Sequence, residues 1–343
     1  MNPMTSEVVR DAHERIRGLV HRTPVMTCAT LDREAGNRAS LKCENFQRGG
    51  AFKFRGACNA ILQLASDERR RGVVTHSSGN HAQALALAAS LHGVKCRVVM
   101  PTSAPEVKRQ ATRGYGAEII PCEPTLEARL ATAARVIGET GAVMIPPYDD
   151  GRIIAGAGTA ALELLEEVGD LDAILTPVGG GGLLSGTALA VQEWHGHRAR
   201  ESGSQATYST ESWAGCPCHV RVIGCEPAGA DDAYRSFQSG VRVEHATPTT
   251  IADGLRTTLG VRNFEIIRRH VADIVLVSEE EIIEAMRFIW ERAKIIIEPS
   301  SAVAVAPVLF RKLNMSGQKI GIIVSGGNVD VSEFFALLRA RAK

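Results

Sequence analysis

Residues 173–178, Ala-Ile-Leu-Thr-Pro-Val, run straight into Gly179, Gly180, Gly181 and Gly182, and from there into a helical pattern over residues 184–194. A strand that passes through four glycines into a helix leaves few folds open. The bare backbone lets successive N–H groups converge on one point at the positive end of the helix, which suits a phosphate group. A tight turn or a dinucleotide site is the competing reading, but no Gly-x-Gly-x-x-Gly spacing occurs here.

The same strand–turn–helix order recurs along the chain. An amphipathic helix is expected over residues 6–20, with Ser6 as N-cap and Val8, Ala12, Ile16 and Val20 on one face. Strands are expected over 24–28 and 40–44, then a helix from Lys53 to about residue 64. Strands over 72–76, 96–100, 118–121 and 143–145 alternate with helices over 80–92, 105–115 and 125–140. Pro146-Pro147-Tyr148-Asp149-Asp150 reads as a turn between two lobes. Beyond it, helices over 154–167, 184–194, 279–294 and 301–310 accompany strands over 173–178, 220–226, 273–277 and 319–324. Residues 195–219, rich in Gly, Ser, Thr, His and Arg, read as a long exposed loop. Alternation of this kind means right-handed crossovers and parallel sheets.

A net charge of +1 without a long basic run argues against a nucleic-acid or anionic-membrane partner and leaves a small molecule as the expected ligand. No stretch approaches the roughly 18 consecutive apolar residues of a membrane span. The first residues, among them Asn2, Thr5, Ser6 and Glu7, are not those of a signal peptide, so a cytoplasmic location is expected. The eight cysteines are scattered, which predicts reduced thiols rather than a disulfide framework. Cys216 and Cys218 beside His219 offer zinc ligands, but no second pair stands at structural-site spacing, and a variable surface loop is the better reading.

Four further stretches carry chemistry. Lys53 lies between Phe52 and Phe54, where a glycine-rich turn enters a helix. Apolar surroundings disfavour the ammonium form, so more of this lysine is the neutral amine that condenses with an aldehyde, as pyridoxal phosphate requires. Ser77-Ser78-Gly79-Asn80-His81 follows a strand and opens a helix, the place where parallel sheets bind ligands; helix capping is the plainer alternative. Ser325-Gly326-Gly327-Asn328 likewise ends a strand, and a hydroxyl facing a pyridine nitrogen leaves that nitrogen largely unprotonated. Glu226-Pro227-Ala228-Gly229-Ala230-Asp231-Asp232 offers two or three carboxylates and free carbonyls within one turn, oxygen donors suited to a hard cation, but an acidic helix start is the better reading of the composition.

Together these residues resemble the serine/threonine dehydratase and serine racemase family, the fold-type II pyridoxal-phosphate enzymes, over about residues 22–330. The resemblance implies an α/β, two-lobed architecture, each lobe a mainly parallel sheet flanked by helices. Residues 1–65 and 150–343 are the large cofactor-binding domain, and 66–149 a small mobile domain that closes over the substrate. It implies that Lys53 holds the cofactor covalently, glycines 179–182 hold its phosphate, Asn80 meets its phenolic oxygen and Ser325 its ring nitrogen. Phe52 adjoins the cofactor. Ser77, Ser78, Gly79, Asn80 and His81 receive the substrate carboxylate, and Ser78 matches the serine that acts on the face opposite the lysine in racemases. Glu226, Ala230 and Asp232 match a Mg2+ (or Ca2+ or Mn2+) site. Thr250-Ile251-Ala252-Asp253-Gly254 and Glu298-Pro299-Ser300 resemble segments near the cofactor. A homodimer is expected.

The implied reaction is a dehydratase (ammonia-lyase) elimination. The freed Lys53 amine takes the Cα proton of a β-hydroxy-α-amino acid, the β-hydroxyl leaves, and a 2-oxo acid and ammonia result. Serine and threonine are the expected substrates, with two departures to weigh. Gly49-Gly50-Ala51 stands where relatives have Thr-Gly-Ser, which predicts a roomier pocket for a bulky substrate such as phenylserine. Hydroxyaspartate is the other option, with Arg129 and Arg135 as candidate partners for its second carboxylate, although helix-surface arginines are the plainer reading of both. Little chain follows the Ser325 segment, which fits amino-acid catabolism better than feedback control. An amino-acid racemase is the nearest alternative, a non-catalytic cofactor-binding protein a remote one, and a nicotinamide oxidoreductase lacks its fingerprint.

Overall fold

Valine, isoleucine and leucine runs become strands in the computed structural model, which describes residues 4–104, 106–201, 220–244 and 247–341. These strands are β1 (Val25–Thr27), β2 (Arg38–Cys43), β3 (Val73–His76), β4 (Cys96–Pro101), β5 (Glu118–Cys122), β6 (Val143–Met144), β7 (Ala173–Pro177), β8 (Arg221–Pro227), β9 (Asp273–Val277) and β10 (Lys319–Val324). They form two sheets. The larger has the order β1-β2-β10-β7-β8-β9, with β1 antiparallel to β2 and the other pairs parallel. The smaller, β5-β4-β3-β6, is parallel throughout. Helices cover both, as the alternation predicts.

Parallel pairing brings strand ends to one edge. Val324 of β10 lies beside Cys43 of β2, and Pro177 of β7 beside Cys225 of β8. The segments that leave these strands, which contain Lys53, Ser325, the glycines and Ala230, therefore emerge on the same side of the large sheet. Alternating side chains feed two cores: Leu175 and Ile322 join one, Ile174 and Ile323 the other.

The helix Lys53–Leu62 contacts both sheets' surroundings. Phe54, Ala57 and Ile61 pack with Val73, Val98 and Met100 of the small sheet. Its other side meets the helix Gly151–Val168 at bare backbone: a Cβ on Gly156 would lie 2.6 Å from the Gly56 Cα. Gly158 makes the same close approach to Gly186 in the helix Gly182–Glu201, where a Cβ would lie 2.4 Å from the Gly186 carbonyl oxygen. Beneath the Lys53 helix, Arg55 is fully buried between two carboxylates. It donates to Glu44 at 2.7 and 2.8 Å and to Glu163 at 2.8 Å from two of its nitrogens, while buried Lys42 reaches Glu163 at 2.7 Å.

Several local expectations change. The first helix is Glu7–Ile16, ending before Gly18, whose φ of 81° no helix continues through. Ser6 stands at its N-cap position but makes no side-chain capping bond; its hydroxyl donates instead to Glu193 at 3.1 Å. The loop expected over 195–219 is corrected at its start, because the helix Gly182–Glu201 continues through residues 195–201. Its end is tied to the sheet by His195, whose Nε2 accepts from the Val220 N–H at 3.3 Å. Cys216, Cys218 and His219 lie outside the described residues. The helices Ala29–Ala35, Ser66–Arg71, Val261–His270 and Val331–Arg341 were not expected. The third is capped from far along the chain: the Asp149 carboxylate accepts from the N–H groups of Val261, Arg262 and Asn263 at 3.1, 3.1 and 3.3 Å. The six described cysteines are free and buried.

Candidate active site

Two of the predicted segments are stitched together by backbone. Ala51 and Gly326 form an antiparallel bridge, the Phe52 N–H donates to the Ser325 carbonyl at 2.9 Å, and the Gly327 N–H to the Gly50 carbonyl at 2.9 Å. This fixes Lys53 and Ser325 at one cleft. Lys53 Nζ sits over the Phe52 ring, 4.9 Å from its centroid, and donates to the Pro147 carbonyl at 2.9 Å. Burial pushes its amine down to about 8, although the Glu298 carboxylate pulls the other way. Phe54 turns away into the core.

The glycine loop is braced from both sides. Gly181 has φ of 91°, a conformation natural to glycine. A Cβ on Gly180 would lie 2.3 Å from the Tyr148 ring, so that ring packs directly on the loop backbone. Thr257 Oγ1 donates to the Tyr148 hydroxyl at 2.9 Å, and Asn263 Nδ2 to the Gly180 carbonyl at 2.8 Å. Among the described residues the N–H groups of Gly179, Gly180 and Gly181 meet no protein acceptor. Such a concave run of donors fits a phosphate.

Ser325 is buried and its hydroxyl lies 3.0 Å from that of Ser301. Ser301 also lies 2.7 Å from the Gly326 carbonyl and accepts from the Gly326 N–H at 2.7 Å. A hydroxyl has one proton, so with Ser301 donating to that carbonyl, Ser325 is the donor between the two.

At the carboxyl end of β3, His76, Ser77, Ser78, Gly79 and Asn80 are half-buried and open the helix Asn80–Leu91. Asn80 Nδ2 donates to the two Glu298 oxygens at 2.9 and 3.0 Å, and its Oδ1 accepts from Asn328 at 3.0 Å. Burial, helped by the nearby Asp253 charge, pushes Glu298 up to about 7 against the hydrogen bonds from Asn80. The side chain of His81 does not face the cleft mouth. It is buried, its Nε2 donates to the Ile145 carbonyl at 3.1 Å, and burial and the Lys53 charge hold it down to about 3, so it is neutral. Nearby, the Arg129 Nε is buried with no hydrogen-bond partner among the described residues, and the Arg129 charge adds to the burial that lowers His76. Arg135 instead pairs with Glu139 at 2.8 Å on the outer surface.

Glu226 and Asp232 are both buried beside Ala230. Glu226 accepts from the N–H groups of Ala233 and Tyr234 at 3.0 and 2.7 Å, yet burial and the Asp232 charge push it well above the ordinary carboxylate range. Two carboxylates in mutual repulsion fit a divalent cation with a carbonyl as third donor. No group of three or more His, Cys, Asp or Glu side chains converges as ligands among the described residues.

The turn at 146–150, expected only as a lobe boundary, thus supplies three site elements: the Pro147 carbonyl, the Tyr148 ring and the Asp149 cap. A lone aromatic between two prolines and two aspartates was the available signal. Ser301, directly after the Glu298-Pro299-Ser300 segment, and Asn263 were not singled out from sequence. At residues 49–51, where hydroxyl side chains are missing, Ala51 is buried against Gly326, while Gly49 has φ of 68° and nothing within 4 Å of where a Cβ would stand.

Sequence and structure comparisons find relatives along most of the chain. Residues 16–326 match the family described as pyridoxal-phosphate dependent enzyme. The chain is 46% identical to a serine racemase of Dictyostelium discoideum over 98% of its length and 100% of the relative's. It is 44% identical to a beta-hydroxyaspartate dehydratase of Paracoccus denitrificans, covering 96% of this chain and 98% of that one. The crystal structure of the Dictyostelium discoideum serine racemase superposes with a TM-score of 0.86, at 46% identity and covering 96% of this chain and 99% of that one. No described helix is long and apolar enough to cross a membrane. The chain accordingly belongs to the pyridoxal-phosphate dependent enzyme family and has the fold-type II architecture of its relatives.

Proposed function

We propose that the protein is a dehydratase that eliminates water from a β-hydroxy-α-amino acid carrying a second carboxylate, 3-hydroxyaspartate, to give a 2-oxo acid and ammonia. The observation that carries the substrate assignment is Arg129: a guanidinium near His76, at the carboxyl end of β3, whose buried Nε meets no hydrogen-bond partner among the described residues. An unsatisfied buried donor is costly, and a carboxylate is its natural complement. The relative from Paracoccus denitrificans, named for this substrate, supports the same reading.

Pyridoxal phosphate, when bound, withdraws electrons from the amino acid's Cα and so acidifies its proton. Lys53 holds the cofactor and moves that proton; its lowered basicity leaves a useful share of neutral amine near neutral pH. Phe52 forms the floor beneath its amine. Gly179, Gly180, Gly181 and Gly182 hold the phosphate, Asn80 the phenolic oxygen, and Ser325 turns its proton from Ser301 toward the ring nitrogen. The N–H groups at the start of the helix Asn80–Leu91, with Ser77 and Ser78, receive the α-carboxylate. The unit 66–149 closes over the substrate, and the ion pair between Lys108 and Asp253 spans the two units across the cleft. Glu226, the Ala230 carbonyl and Asp232 hold Mg2+ or a similar cation away from the chemistry. A cytoplasmic homodimer completes the reading, supported by the free, buried cysteines as to compartment.

The test is 2-oxo acid production from L-threo-3-hydroxyaspartate, L-serine, L-threonine and phenylserine. Hydroxyaspartate is expected to have the highest kcat/KM; a preference for serine, threonine or phenylserine contradicts the assignment. Racemisation is the second reading, favoured by Ser78 on the carboxylate-binding segment and by the serine racemase relative. Chiral analysis of the unreacted amino acid measures it.

A further inference from the structure

We propose that Glu298 and Asn328 are positioning residues that lock the Asn80 amide in the orientation that donates to the cofactor's phenolic oxygen. This rests on the cofactor reading above and extends it to two residues with no contact of their own assigned there. An asparagine side chain has a donor end and an acceptor end of nearly equal size, so its partners decide which end a ligand meets. Here the partners leave no choice. Asn328 Nδ2 donates to the Gly49 carbonyl at 2.7 Å, and the same nitrogen donates to Asn80 Oδ1 at 3.0 Å. A carbonyl oxygen only accepts, so the Asn328 amide is oriented by the backbone, and it in turn assigns the oxygen of Asn80.

The other end is fixed by charge. Asn80 Nδ2 lies 2.9 and 3.0 Å from the two oxygens of Glu298, which only accept when the group is ionised, as it is above pH 8 with its value raised to about 7. Both oxygens lie on one side of the nitrogen, within reach of a single N–H in a three-centre bond, and the second N–H of Asn80 is left for a ligand. Turning the amide over would set oxygen against oxygen at Glu298 and nitrogen against nitrogen at Asn328.

Glu298 is itself held. Its N–H donates to the Gly326 carbonyl at 3.1 Å, at the start of the helix Pro299–Leu309. A Cβ on Gly326 would lie 2.6 Å from Glu298 Oε1, so only bare backbone admits the carboxylate. The carboxylate is 4% exposed and feels Lys53, Lys108 and Asp253.

The experiment follows the visible absorption maximum and the Kd for pyridoxal phosphate, not turnover. Asn80→Ala and Glu298→Ala are each expected to raise Kd about tenfold, one lost hydrogen bond's worth, and to shift the maximum in the same direction. If they act through one bond, the double variant is no worse than either single one. Glu298→Gln keeps an acceptor for Asn80 and is expected to stay within about threefold of wild type. Asn328→Asp, at an exposed position where misfolding is not at issue, removes the donor that assigns Asn80 and is expected to reproduce the Asn80→Ala shift. A wild-type maximum and Kd in Glu298→Ala or Asn328→Asp overturns the inference. So do losses that multiply in the double variant, or a Glu298→Gln as damaged as Glu298→Ala, which assigns the effect to charge on Lys53. A wild-type protein that takes up no cofactor overturns the cofactor reading and this inference together; uptake with Glu298→Ala unchanged overturns only the inference.

Discussion

Lys53 Nζ donates to the carbonyl of Pro147 at 2.9 Å, so the amine at the start of its helix is held by the turn that joins the two sheets. That carbonyl is a place to hold the amine whenever it is not bonded to a ligand. Because burial lowers Lys53 from 10.5 to about 8, the neutral, nucleophilic fraction rises through pH 8. Cofactor uptake by the cofactor-free protein is expected to accelerate with a midpoint near that pH, as followed by stopped-flow absorbance. A rate still climbing steeply above pH 10 contradicts this. The linkage has a definite sign. Between 8 and 10.5 the unfolded chain binds more protons than the folded one, so the cofactor-free protein gains stability as pH rises through that window. Lys53→Met removes the penalty, and its stability advantage is expected at pH 7 and absent above 10.5.

The Arg55 cluster is the second test. Removing one member of a buried ion network strands the rest, at a cost of about 3–5 kcal/mol. Arg55→Met leaves Glu44 buried without its guanidinium and Glu163 with Lys42 alone, and the denaturant midpoint is expected to fall accordingly. A change below about 1 kcal/mol contradicts a stabilising part for this buried network.

Arg129 separates the substrate assignment from the rest of the mechanism. A charge-assisted hydrogen bond is worth about 1.5–3 kcal/mol. Arg129→Gln is therefore expected to lower kcat/KM for hydroxyaspartate about 10- to 100-fold while leaving serine nearly unaffected. Equal losses on both substrates point to a structural part for the arginine.

For the cation, the mutual repulsion of Glu226 and Asp232 predicts that Mg2+, Mn2+ or Ca2+ stabilises the folded protein. At a hundredfold excess over Kd the gain is about 2.7 kcal/mol. Thermal unfolding after chelation and re-addition measures it, and Asp232→Asn is expected to abolish the response. A wild-type Tm indifferent to all three cations contradicts the site.

Much of the site was legible because its chemistry sits where strands end. The glycines after β7, Ser77 after β3 and Ser325 after β10 each follow an apolar run, and local pattern alone places them at a parallel sheet's ligand edge. What sequence could not show is held by contacts between distant positions. Asp149 caps a helix more than 110 residues away, which is why the polar stretch Val261–His270 gave no local signal. Tyr148 shapes the loop at Gly180, and Glu298 meets Asn80 across 218 residues. The last turns of the helix Gly182–Glu201 misled for another reason: Gly, His and Arg there resemble loop composition, while His195 bonds the Val220 N–H beside the sheet.

The most direct test of the whole account is the visible absorption spectrum of the purified protein with pyridoxal phosphate, recorded while L-threo-3-hydroxyaspartate is added and 2-oxo acid is assayed, in wild type and Lys53→Ala. The account predicts a visible band and 2-oxo acid formation in the wild type. It predicts loss of the covalent band and a fall in turnover of at least about 10²- to 10⁴-fold in the variant. A wild type without the band, or a Lys53→Ala protein that keeps both band and turnover, would contradict it.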